Sequence, residues 1–164
     1  MILHVSKAFA KHFKCEVSKL KEPKTQTGNL DCWSAHYFEI EKEPLVLIMN
    51  DACFWTFIIP VDNLSSFDEL LSVFLRKVEI VWERFGSAFD SNNLSLVIYP
   101  RTNRSFIGSM NDLVMQMRIE DDEAYFDGRK PDWEEAEDVF NTMPFGALKY
   151  QNPVDLLSKV LGNK

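Results

Sequence analysis

Apolar residues recur along this chain at two different spacings, and each spacing predicts its own kind of element. From Trp33 to Ile40, the residues Trp33, Ala35 and Tyr37 alternate with Ser34, His36 and Phe38, the period of two expected of a strand. The run Leu45-Val46-Leu47-Ile48-Met49 is apolar throughout and suits a buried strand, entered through a turn at Glu41-Lys42-Glu43-Pro44. Asn50-Asp51 reads as a second turn, and Cys53 to Ile59 as a third strand closed by Pro60, which has no N–H to give to a ladder. Connections this short join antiparallel neighbours, so the three strands predict a β-meander over about Trp33 to Ile59.

The second spacing begins at Ser66-Phe67-Asp68-Glu69, a capping box in which a serine oxygen and a glutamate three residues later satisfy the orphan amides of a helix start. Phe67, Leu70, Leu71, Phe74, Leu75, Val78, Val81, Trp82 and Phe85 then recur every three or four residues until Gly86 stops the pattern. This helix is long enough, and its stripe wide enough, to cover one face of the meander. Shorter signals flank it: a strand at Ile2 to Val5, a helical turn with Phe9 and Phe13 on one face, and a loop from Glu22 to Asn29. Further on come a strand at Leu94 to Tyr99 ended by Pro100 and a second amphipathic helix from about Ser105 to Arg118. A polar loop from Glu120 to Lys130 and helices at Trp133 to Phe140 and Pro153 to Leu161 complete the reading. The fold class expected is α+β, an antiparallel β-meander covered by a long amphipathic helix, with additional helices in the C-terminal half. No repeat or second domain is visible, so 1–164 reads as a single domain.

Composition agrees with a folded core: 46% of residues are hydrophobic, with 13 Phe and 4 Trp among them. A formal charge of −7 argues against nucleic acid as a partner, because binding phosphate backbones calls for a basic surface. The charge is uneven, with lysines 7, 11, 14, 19, 21 and 24 at one end and an acidic stretch from Glu120 to Asp138 at the other; both read as solvated surface. Three widely spaced cysteines suit buried thiols in a reducing compartment, the apolar start is too short for a signal peptide, and no run approaches the roughly 18 apolar residues of a membrane span. The expectation is a cytoplasmic protein with no membrane association.

Candidate chemistry concentrates at one strand-to-helix junction. Asn103 or Ser105 can cap the helix that follows, which leaves free amides and a positive dipole end beside Arg101 and Arg104, an arrangement that favours an anion. Arg104, Ser105, Gly108, Asn111 and Asp112 fall near one face of that helix, opposite its apolar stripe. The plainer reading is structural: a cap, Arg104 paired with an acid, and Gly108 allowing close packing on the sheet. Other constellations fall short. His12-x-x-Cys15 with Cys32-x-x-x-His36 has residue types that suit zinc, but an extended strand would hold Cys32 and His36 about 13 Å apart. Glu123 to Glu134 departs from a calcium loop at its first position and at Tyr125. No nucleophile elbow, Walker loop or dinucleotide fingerprint is present. No metal or cofactor is expected, the histidines read as satisfied surface residues, Cys53 as an inert buried thiol, and Trp33, Trp55 and Trp82 as core.

The block Asn103-Arg104-Ser105-Phe106-Ile107-Gly108-Ser109-Met110-Asn111-Asp112 resembles a bacterial family known as domain of unknown function 6933. The Lys/Ala-rich segment Lys7 to Lys11, the strand with Trp33 and the apolar strand from Leu45 ending in Asn50 resemble it more weakly. The resemblance covers about 1–118, which leaves 119–164 as an acidic helical extension. It implies a small cytoplasmic bacterial protein and carries no activity, cofactor or catalytic residue with it. Two functions remain in view: a non-enzymatic interaction or regulatory domain that meets a protein partner, and a phosphate- or nucleotide-handling enzyme. In the second, Arg101 and Arg104 clamp an anionic small molecule and Asn111 or Asp112 positions water.

Overall fold

A computed structural model describes residues 1–20, 30–90 and 94–162; the loop predicted from Glu22 to Asn29 lies outside them. The protein is α+β, with a five-stranded mixed sheet and helices on both of its faces. In chain order the elements are β1 (Ile2–Val5), α1 (Lys7–Phe13), β2 (Cys32–Ile40), β3 (Glu43–Asn50), β4 (Thr56–Pro60) and α2 (Phe67–Arg84). They continue with β5 (Val97–Pro100), α3 (Arg104–Phe126), α4 (Trp133–Thr142) and α5 (Pro153–Gly162).

The sheet is not the antiparallel meander that the sequence predicts. β2, β3 and β4 do run antiparallel, but the strand order is β4-β3-β2-β1-β5, and β1 pairs in parallel with both β2 and β5. The register sets Ile2 opposite Cys32 on one side and Val97 on the other. Local hairpins announce themselves through short turns, whereas parallel partners this far apart leave no local signal. α2 therefore carries the chain from one edge of the sheet to the other.

Two cores follow from the alternation of the strands. On one face Leu70, Phe74, Val78, Val81 and Trp82 of α2 pack with Phe9 of α1 and Leu157 and Leu161 of α5 against Trp33, Ala35, Val46, Ile48, Phe57 and Ile59. On the other, Phe106, Met110, Leu113 and Met117 of α3 and Trp133, Ala136 and Phe140 of α4 cover Phe38, Ile40, Leu45, Leu47, Met49 and Ile58. β3 is thus buried on both faces, which is why its sequence reads as an unbroken apolar run. Ser66 caps α2 by accepting from the Glu69 amide, while the Glu69 carboxylate reaches back to Ser65. α3 runs on to Phe126, through the stretch expected to be a polar loop from Glu120. Met117 and the fully buried Ala124 are seven residues apart on its inner face, and the charges between them hide that continuity.

The hairpin between β2 and β3 closes through two residues, Glu41 and Lys42, at φ of 45° and 74°. Two positive φ values are the signature of the turn that matches strand twist, here adopted without the usual Asn-Gly pair. At the β4 edge, α4 takes the place of a missing strand. The Asn141 carboxamide accepts from the Thr56 amide at 2.7 Å and donates to the Thr56 carbonyl at 2.9 Å, while Glu137 accepts from the Ile58 amide at 2.9 Å. Residues four apart on a helix so match residues two apart on a strand, and Pro60 closes the remainder of that edge. Glu137 is held in turn by Lys77 of α2 at 2.9 Å.

Asn141 is buried, so its loss leaves a strand amide and a carbonyl without partners. Asn141→Ala is expected to lower unfolding free energy by about 2–4 kcal/mol, read from urea denaturation, with the slope of the transition unchanged.

Candidate functional site

One half of the α3-facing side of the sheet is polar. The row that crosses the sheet at Tyr99, His4 and Ser34 carries groups that hydrogen-bond rather than an apolar layer. Its anchor is the turn after β3. Asn50 is fully buried, and its side-chain oxygen accepts from the amides of Ala52 at 3.0 Å and Cys53 at 3.2 Å. Its NH2 group donates to the carbonyls of Leu30 at 2.9 Å and Cys32 at 3.3 Å. The turn so fixed points Asp51 back over β2, where one carboxylate oxygen accepts from the Ser34 hydroxyl and the other meets His4 Nδ1, each at 2.9 Å. Ser34 is buried, and the side chains of His4 and Asp51 are 12% and 26% exposed. In this arrangement the carboxylate holds the centre, so the serine hydroxyl is bound to the acid instead of being polarised by the imidazole. It lacks the order that makes serine a nucleophile.

One register step further along the same face lie His36 and Arg101. The Arg101 amide donates to the Val5 carbonyl at 3.0 Å as the chain leaves β5, and its guanidinium turns beneath α3, where Nη1 donates to Met110 Sδ at 3.0 Å. Burial holds the guanidinium below its ordinary pKa. The Nδ1 atom of His36 is buried and has no hydrogen-bond partner among the described residues. Burial, and then the field of Arg101, push the His36 imidazole down to about 4, so it is neutral at physiological pH.

The six residues picked out in the sequence do not converge on one place. Asn103 caps α3, its side chain accepting from the Phe106 amide at 3.3 Å. Arg101 faces inward, against the sheet, whereas Arg104, Ser105, Asn111 and Asp112 are exposed on the outer side of α3. Arg104 has no ion-pair partner among the described residues, and a methyl group built on Gly108 would meet nothing within 4 Å. The acid partner for Arg104 and the tight packing at Gly108 are both absent there.

Four functional-looking residues of the polar row were not visible as a group in the sequence: His4, Ser34, His36 and Asp51. The reading of the histidines as satisfied surface residues needs correction, because His4 is bonded to Asp51 at a part-buried position and His36 holds an orphaned nitrogen. The available signal was the alternation in β2, which sets Ser34 and His36 on the face opposite Trp33 and Ala35. Among the described residues no three potential ligands cluster to hold a metal. Cys53 is buried, and that burial raises its thiol pKa to about 12, as an inert thiol requires.

Comparison with models of known protein families matches residues 2–156 to a domain of unknown function (DUF6933). The chain belongs to that family. The match extends past α3 through α4 and into α5. Comparison with curated proteins and with solved structures returns no match.

Two outcomes follow from the polar row. Asp51→Ala strips Ser34 and His4 of their acceptor and is expected to lower stability by about 1–3 kcal/mol in urea denaturation. The folded-state pKa of His36 is depressed, so between pH 6.5 and about 4 the unfolded chain takes up a proton that the folded chain does not. Stability falls as pH drops through that window, and His36→Phe removes this component. The variant should therefore gain stability relative to the wild type between pH 7 and pH 4.5, measured by denaturation at both values.

Proposed function

We propose that this chain is a non-enzymatic interaction domain of a bacterial cytoplasmic protein, and that its recognition surface is the outer face of α3. The observation that carries the reading is an apolar stripe on the wrong side of a packed helix. α3 buries Phe106, Met110, Leu113 and Met117 yet leaves Met115 65%, Ile119 49% and Phe126 85% exposed on the opposite side. Arg104, Gly108, Asn111 and Asp112 prolong the same outer face toward the start of the helix. A helix with two apolar stripes has one for its own core and one for something else. Asp122 and Glu123 flank the second stripe, so the partner that fits is a basic segment carrying apolar side chains. All three cysteines are free thiols, as a reducing compartment keeps them. Among the described residues no helix is long and apolar enough to cross a membrane.

The phosphate-handling alternative draws on Arg101, but that residue lies beneath α3 while Asn111 and Asp112 lie on its outer side. No acid or amide on α3 is placed to position water against an anion held by Arg101. Binding at Arg101 is for that reason treated apart from turnover.

A photo-crosslinking residue in place of Met115 is expected to give one discrete adduct in cells, and the same residue at the exposed Glu83 of α2 none. Asp122→Lys combined with Glu123→Lys should remove the adduct without lowering the melting temperature. Identical labelling from both positions would overturn the reading, as would hydrolysis of phosphodiester, ester or peptide substrates that Arg104→Ala abolishes.

A further inference from the structure

Arg101 is a half-buried cation whose surroundings leave its charge unanswered. Its guanidinium offers five donors, and the one acceptor it meets among the described residues is the uncharged thioether of Met110, a weak acceptor, at 3.0 Å. Among the described residues no carboxylate forms an ion pair with it. A buried charge is ordinarily paired, because withdrawing it from water costs several kcal/mol otherwise. Across β1 on the same face lies the second orphan, His36 Nδ1, buried and without a hydrogen-bond partner among the described residues, its ring within reach of the Arg101 charge. Two unsatisfied polar groups on one face of the sheet, on a chain rich in carboxylates, point to a ligand that supplies what the protein withholds.

We infer that Arg101 and His36 hold the phosphate group of a small anionic ligand between the sheet and α3. The pairing selects phosphate over carboxylate. Arginine needs an acceptor with two oxygens set for its planar fork, which either group provides. The neutral imidazole of His36 can carry its proton on Nδ1 and donate it to a further oxygen. A phosphate monoester keeps that third terminal oxygen once two are taken by the arginine fork, and a carboxylate does not. The start of α3, three residues beyond Arg101 and without an acid in its first turn, adds a positive dipole end on the same side of the chain. The inference is independent of the partner surface, which lies on the opposite face of the same helix.

The test uses the full chain, titrated calorimetrically with inorganic phosphate, AMP and acetate at constant ionic strength, while the His36 ring signals are followed by NMR. Phosphate and AMP are expected to bind and to shift the His36 signals, with those of the exposed His12 unmoved and acetate without effect. Tighter binding of AMP would assign the group to a nucleotide, and equal binding would assign it to free phosphate; either supports the site. Arg101→Gln should weaken phosphate at least about tenfold. Should that variant fail to fold, Arg101→Lys keeps the charge, loses the fork and is expected to weaken phosphate by about fivefold. Unchanged affinity in the folded variant, equal shifts from acetate, or no binding by the wild type would overturn the inference. Adduct formation from position 115 is unaffected by any of these results.

Discussion

The side chain of Asn50 makes the arrangement of this molecule possible. It is a polar group at zero exposure, and its hydrogen bonds reach both forward, into the turn before β4, and sideways, to the backbone entering β2. A buried amide that lost those partners would carry a desolvation cost comparable to a sizeable part of the stability of a domain. Held as it is, the turn presents Asp51 to Ser34 and His4, and so the geometry of the polar row depends on a residue that takes no part in it. The same turn carries Phe54 at a φ of 62°, a strained conformation for an aromatic residue, kept in place where its amide bonds to the Asn50 carbonyl.

Helical periodicity was the most legible feature of the sequence. The stripe from Phe67 to Phe85 and its serine cap lie within a residue of the observed helix, because a long amphipathic pattern leaves few alternatives. Strand existence was legible too, and strand direction was not. Trp33 and Leu45 announce strands through their neighbours, but nothing near Ile2 reveals that Cys32 and Val97 will lie beside it. Glu120 to Glu123 misled for a different reason: charge density hides a helix whose buried contacts at that point rest on Ala124 alone.

The candidate site was half legible. Arg101 and Asn103 were visible because a proline, a cap and two arginines stand together, and Asn103 does cap α3. The sequence could not tell that α3 would divide the group, with Arg101 drawn toward Met110 on the inside and Arg104 to Asp112 left outside. A helix has two sides, and one-dimensional proximity does not distinguish them. Nor could it bring His4, Ser34 and Asp51 together, since they meet only through a parallel pairing and a turn that has to be seen in three dimensions.

That parallel pairing has a consequence for the order in which the protein forms. β1 sits between two strands made later, and β5, its second neighbour, is joined to it only after α2 has crossed the whole sheet. Pairings of such long range are slow, because the entropy of closing the intervening chain is lost before any contact repays it. During synthesis, β2, β3 and β4 can assemble as a local unit, while the outer side of β1 stays unpaired until residue 97 has emerged. The part of the polar face that carries His36 and Arg101 belongs to that last closure. It is among the latest parts of the molecule to exist, so a nascent chain presents it only once the sheet is complete.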